Sequence, residues 1–465
     1  MEMGKKILLV FLLLSSFLME VNAQTVQWKA GVSRAVITPE GKMWLSGYGS
    51  RDRAAEGTLN DLWIKVLALE DGEGKRAILL TSDLVGFPKD LSDRIRERLR
   101  KQFNLSKAQI ILNSSHTHSG PVLNDELHDY YGINFGAEDE KFIKAYSDKL
   151  EAKIMASIAE ALQSMQSALV FTGNGVARFQ VNRRNNAEAA LSTVSELGGP
   201  NDYAVPVIKV ADLSGRILSI VFGYACHATV LDGYQWSGDY PGFAQTELEK
   251  RYPGTSAMFF QGGGADLNPL PRRSVALARQ YGKTLAAAVE AVLSDSMKRQ
   301  PAVLKTAYTE LDLPLSRPPT EEELKKVIAS SSGYQLTWAK RILAELQETG
   351  SLIQSYPYPI QIWKIGEQPV FSLGGELVVA YTVELKRMYG PEVFVMGYNN
   401  DVMAYIPSSI ILKEGGYEGA RALMYFHHLA SGWDPSVEIR ILSGMEKLAE
   451  GIGLEKVQYP LWTKE

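Results

Sequence analysis

The chain has 465 residues, of which 45% are hydrophobic and 22% are charged, and its formal net charge is -4. This balance is typical of a globular protein with a large buried core, and the length allows about two to three domains. Because lysine and arginine do not outnumber the acidic residues, the composition argues against nucleic-acid binding and against attachment to an anionic membrane by charge.

The first 23 residues have the pattern of a secretory signal peptide. Lys5 and Lys6 give a positive start, an apolar run covers residues 7–19, and Val21-Asn22-Ala23 supplies small residues before the cleavage point. An uncleaved anchor is the alternative, but crossing a bilayer takes about 20 apolar residues and this run is shorter. No later run is long enough to span. We therefore expect a secreted or periplasmic protein, residues 24–465, without stable membrane insertion.

Beyond this segment, apolar runs typical of buried strands alternate with helical periodicity. The predicted strands cover residues 64–69, 77–81, 110–112, 205–210, 218–222 and 257–260. The predicted helices cover residues 89–103, 139–162, 274–293, 321–348 and 377–387. This alternation predicts an α/β fold with a mixed β-sheet core flanked by helices, in one large domain or in two lobes that share one site. The charged helical insertion at 316–350 is interpreted as a surface excursion, with a lid as the alternative.

Two histidines follow the predicted strand 110–112 directly. His116 and His118 lie in the segment Asn113-Ser114-Ser115-His116-Thr117-His118-Ser119-Gly120-Pro121. If the strand continues to this point, both imidazoles project from one face, and strand ends of α/β sheets are where sites form. Such a pair suits a metal ion, or a metal ligand beside a group that contacts substrate. The spacing is equally compatible with two histidines that bond to backbone groups.

His227 takes a similar position after the apolar stretch 220–226. A lone histidine after such a stretch is more often a core residue than a ligand, so it becomes a candidate only if it converges with His116. Its neighbour Cys226 is the only cysteine, which excludes an intramolecular disulfide. We expect Cys226 to be a small buried residue rather than a nucleophile.

Three further polar segments lie near predicted strand ends. The turn Gln261-Gly262-Gly263-Gly264-Ala265-Asp266-Leu267-Asn268-Pro269 has glycines that let the backbone approach a ligand, but a tight structural turn is the alternative. It lacks the lysine of a phosphate-binding loop, which argues against nucleotide binding. Glu376 is either a metal ligand or a negative charge at a helix N-terminus. Asn399 and Tyr405 lie in a polar, aromatic region late in the chain.

Taken in this order, the segments resemble the neutral/alkaline non-lysosomal ceramidase family. The resemblance is carried by Gly47-Tyr48-Gly49, Ser82-Asp83, His116-Thr117-His118-Ser119-Gly120-Pro121, Val181-Asn182-Arg183, Ala225-Cys226-His227, Asp239-Tyr240-Pro241-Gly242, the glycine turn, Gly375-Glu376, Tyr405 and Gly416-Tyr417-Glu418. It extends over roughly residues 30–422, and the ordered set is far more specific than any single piece.

The resemblance implies a Zn²⁺ site and a set of residues around it. The implied metal ligands are His116, His227, Glu376 and Tyr405. The implied catalytic group is His118, Arg183, Asp266 and Asn268, of which His118 and Arg183 contact the substrate carbonyl or its developing oxyanion. The implied substrate-binding residues are Gly263, Gly264 and Asn399. Bound zinc lowers the pKa of a water molecule to about 7, which supplies a nucleophile at neutral pH.

Two departures from the family pattern affect the expected substrate. Asn268 stands where ceramidases carry a serine before proline, and an amide can donate a hydrogen bond but cannot be acylated. A metal-activated water is compatible with this change, whereas a serine route is not. The family also carries a C-terminal immunoglobulin-like domain, which needs about 100 residues. The residues after Met424 are too few, so we expect the catalytic domain without it.

The leading hypothesis is therefore a secreted, zinc-dependent amidohydrolase acting on a ceramide-like or other N-acylated substrate, small or lipid-like. The alternative among enzymes keeps the metal site but acts on a carbohydrate or an ester. A non-catalytic binding protein on the same fold is the alternative outside enzymes. Asn268 favours the binding protein, and a complete ligand set argues against it.

Overall fold

The structure is a computed structural model that describes residues 27–124, 136–425 and 429–457. The predicted signal peptide, residues 1–23, lies outside the described residues, as do His128, His427 and His428. Within these ranges, no helix combines the length and the apolar character that crossing a bilayer requires.

The secondary structure alternates strands and helices along most of the chain. The strands are β1 (Trp28–Val36), β2 (Gly57–Thr58), β3 (Trp63–Glu70), β4 (Arg76–Ser82), β5 (Ile110–Ser114), β6 (Gln166–Val176), β7 (Gln180–Asn182), β8 (Ala204–Asp212), β9 (Ile217–Tyr224), β10 (Gln235–Trp236), β11 (Ser256–Gln261), β12 (Leu267–Pro269), β13 (Lys298–Gln300), β14 (Leu304–Pro314), β15 (Ser355–Ile365), β16 (Gln368–Leu373), β17 (Glu376–Leu377), β18 (Phe394–Met396) and β19 (Tyr405–Ile406). The α-helices are α1 (Lys89–Phe103), α2 (Ala137–Gln163), α3 (Asp239–Arg251), α4 (Val275–Ser294), α5 (Glu321–Ser330), α6 (Gly333–Thr349), α7 (Val379–Tyr389), α8 (Ser409–Glu414), α9 (Gly416–Gly419) and α10 (Val437–Gly451). Short 3₁₀ helices cover Lys107–Gln109, Glu188–Ala190 and Arg421–Tyr425.

A large mixed sheet forms the centre of the fold. Its strands run in the order β11-β9-β8-β6-β1-β3-β4-β5, and β13 pairs with β6. The β11–β9 and β4–β5 pairs are parallel, and the other pairs in this sheet are antiparallel. Residues 64–70 of β3 are all buried, because both faces of the sheet are covered. This two-sided burial explains why the central strands have nearly continuous apolar sequences.

A second sheet, in the order β14-β15-β16-β18, packs on one face of the first. Leu67 and Leu79 of the first sheet share a core with Trp363 and Val370 of the second. The opposite face of the first sheet packs against α1 and α2 at one end and against α3 and α4 at the other. The outer face of the second sheet is covered by α7 and α10. The predicted α/β fold with a mixed-sheet core flanked by helices is thus confirmed, in four layers.

The two ends of the large sheet approach each other where β5 and β11 finish. These strands lie at opposite ends of the strand order, yet the amide of Gln261 donates to Asn113 Oδ1 at 3.0 Å. The Asn113 side chain donates in turn to Gly397 O and to Asn399 Oδ1, each at 2.9 Å. One fully buried asparagine therefore joins three of the segments that surround the site.

The insertion at 316–350 contains two helices, so the predicted single helix over 321–348 is wrong. Thr320 and Glu323 form a reciprocal capping box at the start of α5. Gly333 has a φ of 57°, which breaks the helical path between α5 and α6. The Tyr334 hydroxyl at the start of α6 donates to the carbonyl of Gly49, so the insertion contacts the segment Gly47-Tyr48-Gly49.

Candidate metal centre

Three histidines and one glutamate from separate parts of the chain converge. His116 and His118 follow β5, His227 follows β9, and Glu376 begins β17. The ligand atoms of the three histidines lie within 4.8 Å of one another. His116 Nε2 and His227 Nε2 each lie 3.3 Å from Glu376 Oε2. The structure therefore brings together the histidine pair, the lone histidine and the carboxylate, here called the His–Glu cluster.

Backbone carbonyls determine which ring nitrogen faces the cluster. His116 Nδ1 lies 2.6 Å from Val85 O, and His227 Nδ1 lies 3.0 Å from Gly264 O. A carbonyl oxygen can only accept, so each Nδ1 carries the hydrogen and each Nε2 presents a lone pair. Metal-binding histidines are oriented by this kind of contact in many proteins.

In the neutral form of each ring the converging Nε2 atoms are acceptors, and so is Oε2 of an ionised Glu376. His227 Nε2 and Glu376 Oε2 are buried and have no hydrogen-bond partner among the described residues, which is costly unless something else satisfies them. Ligand atoms about 2.0–2.2 Å from a tetrahedral Zn²⁺ are separated by about 3.3–3.6 Å. The observed contacts of 3.3 Å match that spacing, so the residues present can hold a metal ion.

The ionisation of the cluster favours a cation over protons. Burial lowers the pKa of His227 to about 4, and the positive charge of Arg183 acts in the same direction. Burial and the neighbouring His116 hold the pKa of His118 well below its usual value. For Glu376, burial raises the pKa, but His116 and His227 outweigh it and hold the pKa well below its usual value. At neutral pH the ionised carboxylate of Glu376 therefore lies beside the neutral imidazoles of His118 and His227, and carboxylate and imidazole are ligands that suit zinc.

Tyr405 adjoins the cluster because β17 and β19 pair in parallel. Glu376 and Tyr405 are direct partners in that pair, and such partners project to the same side. The Tyr405 ring stacks on His227, with centroids 6.5 Å apart and an interplanar angle of 15°. Its hydroxyl oxygen accepts from Arg183 Nη2 at 3.1 Å. Tyr405 therefore lies beside two predicted ligands, while its own ligation stays a prediction.

His118 stands at the edge of the cluster and is half-buried. Its Nε2 lies 3.1 Å from His116 Nε2, and its ring packs edge-on against Tyr48 at a centroid distance of 4.7 Å. Gly47 has a φ of 97°, and a Cβ there would lie 2.4 Å from His118 Cγ, so only glycine fits. This position suits a group that exchanges a proton with a molecule entering from outside.

Arg183 connects the cluster to a polar network. Its Nε donates to Glu418 Oε1 at 2.7 Å, its Nη1 to Asn268 Oδ1 at 3.3 Å, and its Nη2 to Tyr405. Arg183 and Asn268 meet because β7 and β12 pair antiparallel and Arg183 directly follows β7. The structure thus places two predicted catalytic residues together. It adds Glu418, which the sequence indicated only as part of Gly416-Tyr417-Glu418.

The glycine turn is tightly packed around Gly263 and Gly264, and their contact with substrate stays a prediction. A Cβ on Gly263 would lie 2.4 Å from Thr382 Oγ1, and a Cβ on Gly264 would lie 2.4 Å from Cys226 N. The amide of Gly264 donates to Gly262 O at 2.9 Å. These glycines therefore permit close packing, and Gly264 O orients His227.

The side chain of Asn399 is fully buried and bonded inside the protein, which argues against its predicted contact with substrate. Its Oδ1 accepts from Asn113, and its Nδ2 donates to Leu373 O at 3.3 Å and Met396 O at 2.9 Å. No polar atom of this side chain is left for a substrate. Asn399 therefore stabilises the loop that leads to Tyr405.

Asp266 lies behind the turn that carries Asn268. Its Oδ1 accepts from the amide of Val379 at 2.8 Å, in the first turn of α7, and its Oδ2 accepts from Asn182 Nδ2 at 3.1 Å. Burial raises the pKa of Asp266. These contacts position β12 against α7 and β7, and the catalytic role of Asp266 remains a prediction.

Tyr398 contacts the cluster, although the sequence indicated only its segment. Its ring centroid lies 4.5 Å from that of His116, and its backbone has a φ of 56°. Its hydroxyl is buried without a hydrogen-bond partner among the described residues. Burial and the Glu376 carboxylate raise the pKa of Tyr398 well above its usual value, so the hydroxyl remains a donor. The run Asn399-Asn400 was the available signal, because asparagine favours turns with positive φ.

Comparison with known families settles which family this site belongs to. The family model described as "Neutral/alkaline non-lysosomal ceramidase, N-terminal" matches residues 28–289, more than half of the chain. The chain belongs to the neutral/alkaline non-lysosomal ceramidase family. The resemblance inferred from the ordered motifs is thereby confirmed.

Curated ceramidases match part of this family member. Neutral ceramidase B of Dictyostelium discoideum is 26% identical over 247 residues, which is 49% of this chain and 33% of the relative. Neutral ceramidase A of the same organism is 27% identical over 222 residues, which is 43% of this chain and 30% of the relative. The match therefore spans about a third of the length of these curated ceramidases.

Solved ceramidase structures share the fold over almost the whole chain. Neutral ceramidase from Pseudomonas aeruginosa aligns with a TM-score of 0.70 and 19% identity, covering 95% of this chain and 77% of that one. A ceramidase complexed with C2 aligns with a TM-score of 0.69 and 16% identity, covering 94% and 77%. The family model includes His116, His118 and His227, whereas Glu376 and Tyr405 lie beyond its last matched residue.

Proposed function

We propose that this ceramidase-family protein is a secreted, zinc-dependent hydrolase that cleaves an N-acyl amide bond. The observation that carries the proposal is the convergence of lone pairs from His116, His227 and Glu376, with both nitrogens 3.3 Å from the carboxylate oxygen. Family membership supports hydrolysis of an amide, and the pattern of residues 1–23 supports export. Ceramide, or another N-acylated compound, is the substrate class that the names of the relatives support.

His116, His227 and Glu376 would hold the metal, and Tyr405 is the fourth protein ligand in this proposal. Zinc bound there would lower the pKa of a water molecule to about 7 and polarise a carbonyl group. Two imidazoles, a carboxylate and a weakly held phenol leave room for that water. The cluster is buried, so the charges inside it interact more strongly than they would in water.

The remaining residues act on the substrate directly. Arg183 is held rigidly by Glu418 and Asn268, and its guanidinium would stabilise the negative charge that develops on the carbonyl oxygen. His118 is neutral at neutral pH because its pKa is lowered, so it can accept a proton from water and deliver it to the leaving nitrogen. The products of this reaction are a carboxylate and an amine.

A non-catalytic binding protein is the second candidate, and Asn268 is the observation that favours it. The side chain of Asn268 accepts from Arg183 in the position where the family carries a serine. An amide there cannot be acylated, so the loss of a catalytic nucleophile fits a protein that binds without turnover. The two candidates differ in whether the purified protein carries a metal and turns over any amide.

Metal analysis combined with His116→Ala tests the proposal. We expect one zinc per chain in the wild type, hydrolysis of a fluorescent N-acyl amide, and loss of both in the variant. The loss of activity should exceed the roughly 10–100-fold that removal of an outer hydrogen-bond partner costs at a metal site. A chelator should abolish activity and added zinc should restore it. Undiminished hydrolysis by metal-free protein would refute the mechanism, and a metal-free protein inactive on amides, esters and glycosides would favour the binding protein.

A further inference from the structure

A polar cleft of about 650 Å³ opens beside Arg183 and Asn268, which both line it. It is here called the arginine cleft, after its lining residues Arg183, Arg184, Arg272 and Arg421. Arg183 lines the cleft, and its Nη2 also donates to the hydroxyl of Tyr405 at 3.1 Å. The cleft therefore adjoins the His–Glu cluster through Arg183 and Tyr405. A substrate held at the cluster can extend into it.

The carboxylates that line the arginine cleft are already neutralised. Glu418 accepts from Arg183 Nε at 2.7 Å and from Arg184 Nη1 at 2.6 Å. Glu188 accepts from Arg272 Nε at 3.1 Å. Among the described lining residues, four arginines thus face two glutamates. A cationic ligand would have to displace one of these ion pairs to find a partner.

Arg421 carries the unbalanced charge of the cleft. Glu414 bonds Arg184 from outside the lining at 2.9 Å, which reduces the surplus of two positive charges to one. Arg421 is exposed at the start of the helical turn Arg421–Tyr425 and forms no ion pair with any residue that the structure describes. An anion in the cleft would be the natural partner for this guanidinium.

The lining also suits a polar group better than an alkyl chain. Apolar surface comes mainly from Leu270, Ala187 and the ring of Tyr417. Asn268 directs its Oδ1 to Arg183, and its Nδ2 donates to no residue in the described ranges. A hydrogen-bond donor and a guanidinium are therefore available to a substrate, whereas a long apolar stripe is not.

We infer that the arginine cleft receives an anionic group on the amine half of the substrate, so that the protein cleaves N-acyl amino acids or compounds like them. The inference rests on the proposed amide hydrolysis. In an N-acyl amino acid the fatty chain is the apolar half, and the carboxylate lies within a few bonds of the scissile amide on the amine half. Ceramide has no such charge, so the cleft distinguishes the two substrate classes.

A matched pair of substrates tests the inference on the metal-loaded, full-length protein. N-lauroylglycine and N-lauroylglycinamide share the chain and the amide, but only the first carries a carboxylate. We expect kcat/KM to be about tenfold higher for lauroylglycine at low salt, with the preference shrinking as salt is added. Arg421→Gln should remove most of that preference by lowering kcat/KM for lauroylglycine much more than for lauroylglycinamide. Arg299→Gln, an exposed arginine of β13 outside the cleft, is the matched control.

The outcomes separate this inference from the proposed function. If the wild type does not prefer lauroylglycine, or if Arg421→Gln slows both substrates equally, the inference is overturned while amide hydrolysis stands. If the wild type cleaves neither substrate, calorimetric binding of lauroylglycine decides. Binding that Arg421→Gln weakens would keep the anionic cleft but overturn cleavage of N-acyl amino acids, and binding insensitive to that change would overturn the whole inference. In either case hydrolysis of a fluorescent ceramide then decides the proposed function.

Discussion

Asn268 shows how a single side chain sets the chemistry open to the site. It keeps a hydrogen bond to Arg183 Nη1 at 3.3 Å, so the guanidinium stays in place although the family's serine is absent. A serine hydroxyl is shorter than the asparagine amide and would leave this donor weakly paired. Compared with the family's serine, Asn268 therefore offers no nucleophile but positions Arg183.

Asn268→Ser should restore the family residue at a measurable cost. We expect hydrolysis of a fluorescent short-chain ceramide to rise about tenfold above that of Asn268→Ala, because only serine offers a hydroxyl near the carbonyl. Stability should fall by about 1 kcal/mol, the usual net worth of one hydrogen bond. Activity assays and urea unfolding of both variants measure these effects. Equal ceramide hydrolysis by the serine and alanine variants would show that position 268 does not take the serine's role here.

At the scale of elements, the site is assembled where strands end. His116 and His118 follow β5, His227 follows β9, and the turn after β11 supplies the carbonyl that orients His227. The short pairs β7–β12 and β17–β19 then align Arg183 with Asn268 and Glu376 with Tyr405. Parallel strands β9 and β11 end at the same edge, which brings the turn to His227.

Gly264→Ala tests how tightly the turn seats His227. The added Cβ would meet backbone atoms, Cys226 N at 2.4 Å and Ala225 C at 2.6 Å, and no rotamer change can relieve such contacts. We expect a loss of about 1–3 kcal/mol in unfolding free energy. We also expect weaker zinc binding, because Gly264 O would move away from His227 Nδ1. Thermal unfolding and zinc titration measure the two effects. Gly233→Ala is the control, since its Cβ would meet nothing within 4 Å, and equal behaviour of the two variants would contradict the prediction.

Sequence predicted the buried elements better than the exposed ones. The central strands and α1 were recognisable because burial on one or both faces leaves apolar runs or a four-residue period. Residues 304–314 were not predicted as a strand, since β14 is half-exposed along most of its length. The break between α5 and α6 was missed, although the run Ser330-Ser331-Ser332-Gly333 separates two stretches that each have apolar periodicity. The local pattern of apolar residues therefore predicts which segments are buried, but it does not predict which strands pair.

At the scale of the whole molecule, the site depends on contacts between residues far apart in the chain. Asn113 joins the carboxyl ends of β5 and β11 to the loop at Asn399, across separations of 148 and 286 residues. No spacing in the sequence predicts these contacts, and only the ordered family resemblance indicated that His116, His227 and Glu376 meet. The close packing at Gly263 and Gly264 and the buried side chain of Asn399 show that polar or glycine-rich segments can be buried for packing as readily as for binding.

The buried carboxyl groups outside the cluster make the stability of the whole protein depend on pH. Burial raises the pKa of Asp83 and Asp239 to about 6 and that of Asp401 to about 7. A folded-state pKa above the unfolded value means that the folded protein holds more protons between the two values. Stability therefore falls as pH rises from about 4 to about 7, and it levels off above that range.

Asp401→Asn should remove the largest part of this dependence. Asp401 is buried and accepts from the Tyr356 hydroxyl at 2.7 Å, a bond that an amide oxygen can also accept. Wild type should lose stability from pH 5 to pH 8 as Asp401 ionises, whereas the variant has no such loss. The unfolding free energy of the variant minus that of wild type should therefore rise by about 2–3 kcal/mol over this range, because each unit of pKa shift corresponds to about 1.4 kcal/mol. Urea unfolding across this range, with a chelator present so that metal binding makes no contribution, measures the difference. Asp212→Asn is the matched control: hydrogen bonds from Ser214 and Arg216 lower the pKa of Asp212 to about 2, so its effect should be constant from pH 5 to pH 8. A parallel pair of pH profiles for Asp401→Asn and wild type would show that Asp401 is ionised throughout and that the slope has another source.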